Sequence, residues 1–420
     1  MSEIRLKDCC RIKGGSGFPE VYQGQTTGDY PFAKVSDMNL PENSKFLKVA
    51  NNYVNKDLVS RLGLTVFPEN TVVFAKVGAA VYLNKRRLLG VEAIVDNNMM
   101  GLTPDGVDPE FLYQFLLAVD FAYHVQPGVL PSLNQQIVGE ITLPPLEILE
   151  QRKIAKILST VDNLIEKTQA LIDKYQSIKQ GMMHDLFTRG VDERGQLRPN
   201  YEVAPHLYKG SELGWIPKEW EVELLGDITL KIADRDHYTP IYSEFGIPIV
   251  SPKDFNEHDE IDFSNCQYIG SVEHARNRKK TDIVTDDLIF TRIGARLGKS
   301  CIVTSDMPEF SLLHSAVMIR SDLSRALPRF LLHTLKTSYF QSQIGKEIQS
   351  IGVPDLGMDK IKSFKILTPQ KDEQLRIVEK LDSLASKIRA ESTYKSKLLN
   401  EKSGLMQDLL TGKVRVKVDA

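Results

Sequence analysis

No apolar run in the chain reaches the roughly 20 residues that a membrane-spanning helix requires; FLYQFLLAV at 111–119 is far too short. The N-terminal MSEIRLKDCC has no apolar signal region, so a cytoplasmic protein with no membrane partner is expected. Cysteine is scarce. The four present, Cys9, Cys10, Cys266 and Cys301, have neither metal-site nor disulfide spacing and imply buried thiols in a reducing compartment. The eight histidines form no H-x-x-x-H or H-E-x-x-H set, which argues against a metal site. Nor does positive charge dominate: the formal net charge is −2. That excludes little, because a sum does not register charge gathered on one face.

Catalytic signatures are missing as well. IGARLGKS at 293–300 looks like a phosphate loop, but Gly294 and Gly298 enclose three residues where that loop needs four. The CIVTS that follows is strand-like, whereas a phosphate loop opens a helix. Its sister VGAAVYLNK at 77–85 has no Gly-Lys-Ser. The segment reads as a glycine-containing hairpin, either meeting phosphates with its backbone and cations or serving as a plain basic turn. GGSG at 14–17 is a loop without the rest of a dinucleotide fingerprint. Asp286 and Asp287 look like turn chemistry, and VDNNMMG at 95–101 is an asparagine pair rather than an adenine-methylation signature. The chain is expected to hold no catalytic, cofactor-binding or metal-binding residues.

What is present is a repeat. GMMHDLFT at 181–188 returns as GLMQDLLT at 404–411, and EQRKIAKIL at 150–158 returns at the same offset as EQLRIVEKL at 373–381. Between these markers apolar residues recur near every 3.5 positions. One seam runs through Ile154, Leu158, Val161, Ile165, Ile172 and Tyr175, the other through Ile377, Leu381, Leu384, Ile388, Leu398 and Leu405. Each is a rod of about 38 residues, roughly 57 Å at the helical rise. Thr168 and Glu391 are positional twins and polar members of the seams, a candidate register marker if the rods fold back antiparallel.

The intervening sequence is doubled more faintly. LKDCCRIKGG at 6–15 matches LGDITLKIAD at 225–234, and YPFAKVSDMN at 30–39 matches IPIVSPKDFN at 247–256. VVFAKVG at 72–78 matches LIFTRIG at 288–294, and DPEFLYQFL at 108–116 matches LPRFLLHTL at 327–335. GVLPSLN at 128–134 matches GVPDLGM at 352–358. Short strands plus helices near 109–119 and 328–340 make each an α+β module. The plan is a globule over 1–145, a rod over 146–189, a polar exposed linker over 190–213, a second globule over 214–367, a second rod over 368–413 and a tail over 414–420. The fold class is α+β, with two globules alternating with two long helices that pair as an antiparallel coiled coil, giving internal two-fold pseudo-symmetry.

The combination resembles the specificity subunit of type I restriction-modification systems. EQRKIAKIL, GMMHDLFTRG, GWIPKEWEVELLGDI at 214–228, LIFTRIGARLGKSCIV, EQLRIVEKL and GLMQDLLTGKVRV carry the resemblance. It implies that the globules are target recognition domains, each reading half of a split DNA sequence. It implies too that the rods fix their spacing and dock two adenine-N6 methyltransferase subunits, with a separate restriction and translocase subunit. S-adenosylmethionine, ATP and Mg would then belong to those partners. The front departs from the pattern: Met1 stands roughly where Trp220 would align, so the first globule is either trimmed there or anchored by the strand-like tail VRVKV at 414–418.

Double-stranded DNA should meet the local clusters of cations, which neutralise phosphates. In the first globule these are Lys76, Lys85, Arg86 and Arg87, with Lys45 and Lys48 upstream. In the second they are Arg276, Arg278, Lys279, Lys280, Arg292, Arg296 and Lys299. Base reading needs forked or amide side chains; Arg235, His237 and Lys253 are candidates in one globule, and Asn51, Asn52 and Lys34 weaker ones in the other. A duplicated scaffold that holds proteins together without reading DNA is the rival, and the salt dependence of binding to duplex DNA separates the two.

Overall fold

In the computed structural model, which describes residues 4–126, 130–256, 260–347 and 354–418, the duplication reappears as strand order. In the first globule, Cys10–Gly14, Met99–Pro104, Val72–Ala75, Arg86–Leu89 and Phe46–Leu47 lie side by side in that sequence. In the second, Thr229–Ala233, Ala316–Ser321, Leu288–Thr291 and Ser300–Ile302 repeat the first four places. A smaller sheet accompanies each, with one parallel pair in common: Ala33 faces Val95, and Val250 faces Leu312. A third pairing ties the front of each globule to the strand before its rod, Ile4 with Leu143 and Glu223 with Ile366.

The central strands read as unbroken apolar runs because both of their faces are covered. Val72 and Phe74 point into one core and Val73 into another. Leu288 and Phe290 divide from Ile289 in the same way, as the two-residue period of a strand demands. The sequence match between the front strands slips by one residue in space. A bulge between Thr229 and Lys231 inserts Leu230, so Lys13 corresponds to Ala233 rather than to Ile232.

The first globule's helix, Pro109–Ala118, starts on Asp108, whose side chain accepts the Phe111 amide, and has proline in its first turn. The helix expected over 328–340 is two helices, Pro328–Leu335 and Ser338–Glu347. Thr337 intervenes, its hydroxyl donating to the Thr334 carbonyl at 2.7 Å. The stretch expected to be an exposed linker is ordered: strands Tyr208–Ser211 and Gly214–Pro217 form a hairpin, and Tyr201 stacks on Trp215 with centroids 4.2 Å apart. Its apolar residues are few and widely spaced, so composition concealed them, yet Val191 and Tyr208 are buried.

The rods are Ile148–Thr188 and Lys371–Leu409. Along the first, Ile154, Leu158, Val161, Ile165, Thr168, Ile172 and Tyr175 are buried or half-buried, at alternating steps of four and three. Along the second, Ile377, Leu381, Leu384, Ile388, Leu398 and Leu405 hold the same phase, the spacing of a left-handed coiled-coil seam. The chain divides into two compact units, Met1–Ala170 with Ser392–Ala420, and Leu171–Glu391. In the first unit, Ile154 and Leu158 pack with Leu405, Leu409 and Leu410. Lys402 pairs with Asp162 at 2.6 Å. Seven residues further along one helix and seven back along the other, Lys395 donates to Gln169 at 2.5 Å. That opposed progression makes the pairing antiparallel. In the second unit, Leu186 and Phe187 pack with Ile377, Val378 and Leu381. Thr168 and Glu391 fall in different units; the Thr168 hydroxyl donates to its own helix, to the Leu164 carbonyl at 2.8 Å.

The tail is not a strand. Arg415 pairs with Glu150, Val416 packs on the first core and the Lys417 carbonyl accepts from Lys153 at 2.6 Å. Met1, Gly128, Val129, Gly352, Val353, Asp419 and Ala420 lie outside the described residues.

In the second unit His333 is buried and lies 3.0 Å from Asp382 of the rod. Burial pushes its pKa down against the pull of that carboxylate, and His314 is also lowered, first by burial and then by His237, Arg235 and Arg292. A histidine with a depressed folded-state pKa favours the unfolded chain once protons bind. Stability is therefore fully present above the ordinary value of about 6.5 and falls as pH drops beneath it. Thermal unfolding of this unit should come at lower temperature at pH 5.5 than at pH 7.5, and His333→Gln should flatten the difference. Equal midpoints in wild type would contradict the account.

Candidate nucleic-acid interface

At one end of each large sheet the same main-chain hydrogen bonds recur. The Asp96 amide donates to the Ala33 carbonyl at 2.9 Å, and the Leu313 amide to that of Val250 at 2.7 Å. Lys76 donates to Asn98 at 2.8 Å, and Arg292 to Ser315 at 2.9 Å. Gly78 donates to Pro131 at 2.8 Å, and Gly294 to Pro354 at 3.0 Å. Leu133 donates to Lys76 at 2.8 Å, and Leu356 to Arg292 at 3.0 Å. Each chain leaves its central strand through a left-handed glycine, Gly78 at φ 78° and Gly294 at φ 94°, a conformation in which a Cβ is unfavourable. The turn after the parallel strand is shared too. Asp37 accepts the Lys34 amide at 2.8 Å, and Asp254 the Ser251 amide at 2.7 Å.

Different side chains stand on this common frame. Lys76 takes the place of Arg292, Asn97 that of His314, and Asn98 that of Ser315. Where the first globule runs Gly14-Gly15-Ser16-Gly17 off its front strand, the second runs Asp234-Arg235-Asp236-His237. Gly15 has a local cause: a Cβ there would come 2.0 Å from the Asp96 carbonyl oxygen.

In the second globule most of the expected residues converge. Arg292 is buried and donates to the His314 carbonyl, Asp355 and the Leu356 carbonyl at 2.7–3.0 Å, with His237 2.8 Å away. Asp234 faces both Arg292, at 3.2 Å, and His237, at 3.1 Å. Arg235 and Arg276 sit over the Tyr238 ring, 4.1 and 4.5 Å from its centre. Lys280 pairs with Asp236 and draws that carboxyl below its usual range. Arg296 reaches back from the glycine hairpin to the carbonyls of Lys253 and Phe255. Strands Leu288–Thr291 and Ser300–Ile302 are that hairpin's arms, and Lys299 lies within it. Arg278 turns away to Glu309 at 2.7 Å; Lys279 and Lys253 are exposed.

In the first globule the cations divide. Arg86 is fully buried over the Phe121 ring, 4.0 Å from its centre, and bonds to the Asn84 and Val119 carbonyls. Burial lowers its pKa to about 10. Arg87 donates to the carbonyls of Asn43, Arg86 and Met38. Both guanidinium groups are held inside the fold. Lys34 donates to Gln23 at 2.5 Å, Lys85 reaches Asn39, and Lys76 lies over Gly14, where a Cβ would meet its Nζ at 2.8 Å. Asn51 bonds to Asp37 at 2.5 Å and Asn52 is buried, accepting the Gly24 amide at 2.9 Å. Among the described residues no three His, Cys, Asp or Glu side chains gather as a metal site.

Residues 1–174 and 217–400 match a family model described as type I restriction modification DNA specificity domain. The chain is 26% identical over 432 residues to the type I restriction enzyme MjaVIII specificity subunit of Methanocaldococcus jannaschii, covering 99% of this chain and 93% of that one. It is 30% identical over 297 residues to the putative MjaX specificity subunit of the same organism, covering 68% and 62% respectively. Among solved structures, the S subunit of a type I restriction-modification system from M. genitalium aligns over 97% of this chain and 96% of its own, with a TM-score of 0.60 at 16% identity, a likeness of fold.

Proposed function

We infer the role of this chain from one premise: it belongs to the type I restriction modification DNA specificity family. It is the DNA-recognition subunit of a type I restriction-modification complex, and each globule reads one half of an asymmetric bipartite target. The observation that carries this reading is the doubled main-chain frame bearing unlike side chains. Two copies of one scaffold meet two stretches of duplex, and different groups on each copy give different half-sites. Direct readout needs donors and acceptors held against base edges, with cations on the phosphates around them. Loop 234–238, Arg276 and Lys280 supply that mixture in the second globule. Lys34, Lys76 and Asn97 supply it in the first.

The chain itself acts without catalysis. Two methyltransferase subunits dock on the rods and bring S-adenosylmethionine; restriction and translocase subunits bring ATP and Mg. The scaffold rival gains no support from relatives that are named specificity subunits.

The test has two parts. With its methyltransferase in a host lacking adenine methylation, the chain should direct N6-methylation to one split, asymmetric motif on both strands. Affinity of the complex for that duplex should fall about 10³- to 10⁵-fold between 50 and 200 mM salt if 6–10 phosphates are neutralised. A salt-independent complex that methylates no motif would overturn the assignment.

A further inference from the structure

Resting on the reading that the chain recognises DNA, we propose that Asn97 and His314 are equivalent specificity-determining residues, each setting base preference in its own half-site, with Arg235 assisting His314. Strand register assigns the equivalence. Met99 faces Ala75 and Ala316 faces Thr291, so the residues two places earlier, Asn97 and His314, occupy one position on the shared frame. The next residue on each chain accepts a hydrogen bond from the amide of Lys76 or Arg292. The backbone at this position is therefore fixed in both globules, and only the side chain is free to differ.

The chemistry differs in the way that reading demands. Asn97 is exposed, on a loop tip between the buried Asp96 and Met99. Asn98 is committed elsewhere, bonding to Asp96 through its side chain and main chain. An exposed amide offers a donor and an acceptor together, the pattern that pairs with adenine in the major groove. In the second globule the same position carries an imidazole flanked by guanidinium. The rings of His314 and His237 are 5.1 Å apart. Donor-rich groups of this kind suit the O6 and N7 acceptors of guanine.

An independent observation points to a missing ligand. Buried polar atoms nearly always find partners, yet three without one gather at this end of the second globule: Arg235 Nη1, His314 Nδ1 and Ser315 Oγ. Arg292, by contrast, is bonded at every nitrogen and holds the loops in place. Arg235 is itself held, its Nε and Nη2 donating to the Asp236 and Tyr238 carbonyls, so that only its Nη1 is left without an acceptor, as in a site built to receive one.

The test is a methylation map of the full chain with its methyltransferase, in wild type and in Asn97→Ala, Asn97→His, His314→Gln and His314→Asn. Asn97 variants should relax or change one position in one half-site and leave the other half intact. His314 variants should do the converse. Discrimination at the affected base pair should fall about 5- to 150-fold, the range for one well-placed base contact. The proposal fails if wild type methylates a split motif and every variant keeps that motif at unchanged stringency. It fails as well if the variants lower methylation equally at all positions, which would mark these residues as structural. If wild type methylates nothing, the assignment of the chain to DNA recognition falls first, and this inference with it. The Gln and Asn variants retain polar groups, so a folding loss in one substitution leaves the others to decide.

Discussion

Trp220→Ala should destabilise the Leu171–Glu391 unit by about 3–5 kcal/mol, the usual cost of emptying a large aromatic site. Trp220 is fully buried among Leu186, Phe187, Ile216, Phe330, Ile377 and Val378. It thus joins the end of one rod, the start of the other and the second globule's helix within a single cluster. Its indole Nε1 has no acceptor, so Trp220→Phe should lose much less. Urea unfolding of wild type and both variants followed by circular dichroism will separate these outcomes, with tryptophan emission as a second probe of the wild type. The only other tryptophan, Trp215, is 53% exposed, so emission from a buried indole reports Trp220. A loss below about 1 kcal/mol in the alanine variant would mean that the cluster closes over the gap, contrary to the packing described.

Glu373→Ala should be nearly as costly, again about 3–5 kcal/mol, because it strands a buried guanidinium. Glu373 accepts two bonds from Arg198, at 2.5 and 2.9 Å, and one from the Val191 amide at 2.8 Å. The two side chains are only 5% and 13% exposed. Gly190 is pressed against the carboxylate; a Cβ there would lie 2.2 Å from Oε1. Glu150, at the equivalent place on the other rod, has its own partner in Arg415, at 2.8 Å through Nε. Arg415 is 47% exposed, so water replaces the lost partner and Glu150→Ala should cost far less. Chemical denaturation of the two variants side by side tests the contrast. Equal losses would show that exposure is not what distinguishes the two clamps.

Much of this architecture was legible before any coordinates. The rods announced themselves because a seam of period 3.5 survives in one dimension: Ile154 to Tyr175 and Ile377 to Leu405 can be counted along the sequence. The strands VVFA and LIFT were legible because burial on both faces leaves unbroken apolar runs. The glycine hairpin after Leu288–Thr291 was legible from what its spacing failed to be. The site was less so. A count of cations cannot distinguish Arg86, which lies over Phe121 inside the fold, from Lys85 beside it at the surface. Asn97 was passed over as half of an asparagine pair, since its match to His314 is set by pairing across a sheet. The stretches that carry it, VDNNMMG at 95–101 and LLHSAVM at 312–318, share no identical residue, so nothing in the letters marks the match. The linker misled for a related reason: Val191, Tyr201 and Tyr208 are spaced too widely for a periodicity, and only in the fold does Val191 join the cluster around Trp220 and Tyr201 meet Tyr208 and Trp215.

The frame at the end of each sheet is made of peptide groups, and peptide groups are the same in every residue. A surface held in place by amides and carbonyls does not depend on the identity of the side chains it displays. Changing Asn97 or His314 should therefore alter what is bound with little effect on melting. In evolutionary terms the vocabulary can be replaced while the grammar stays fixed. A library randomised at these positions should remain largely folded, with its diversity spent on recognition rather than on misfolding.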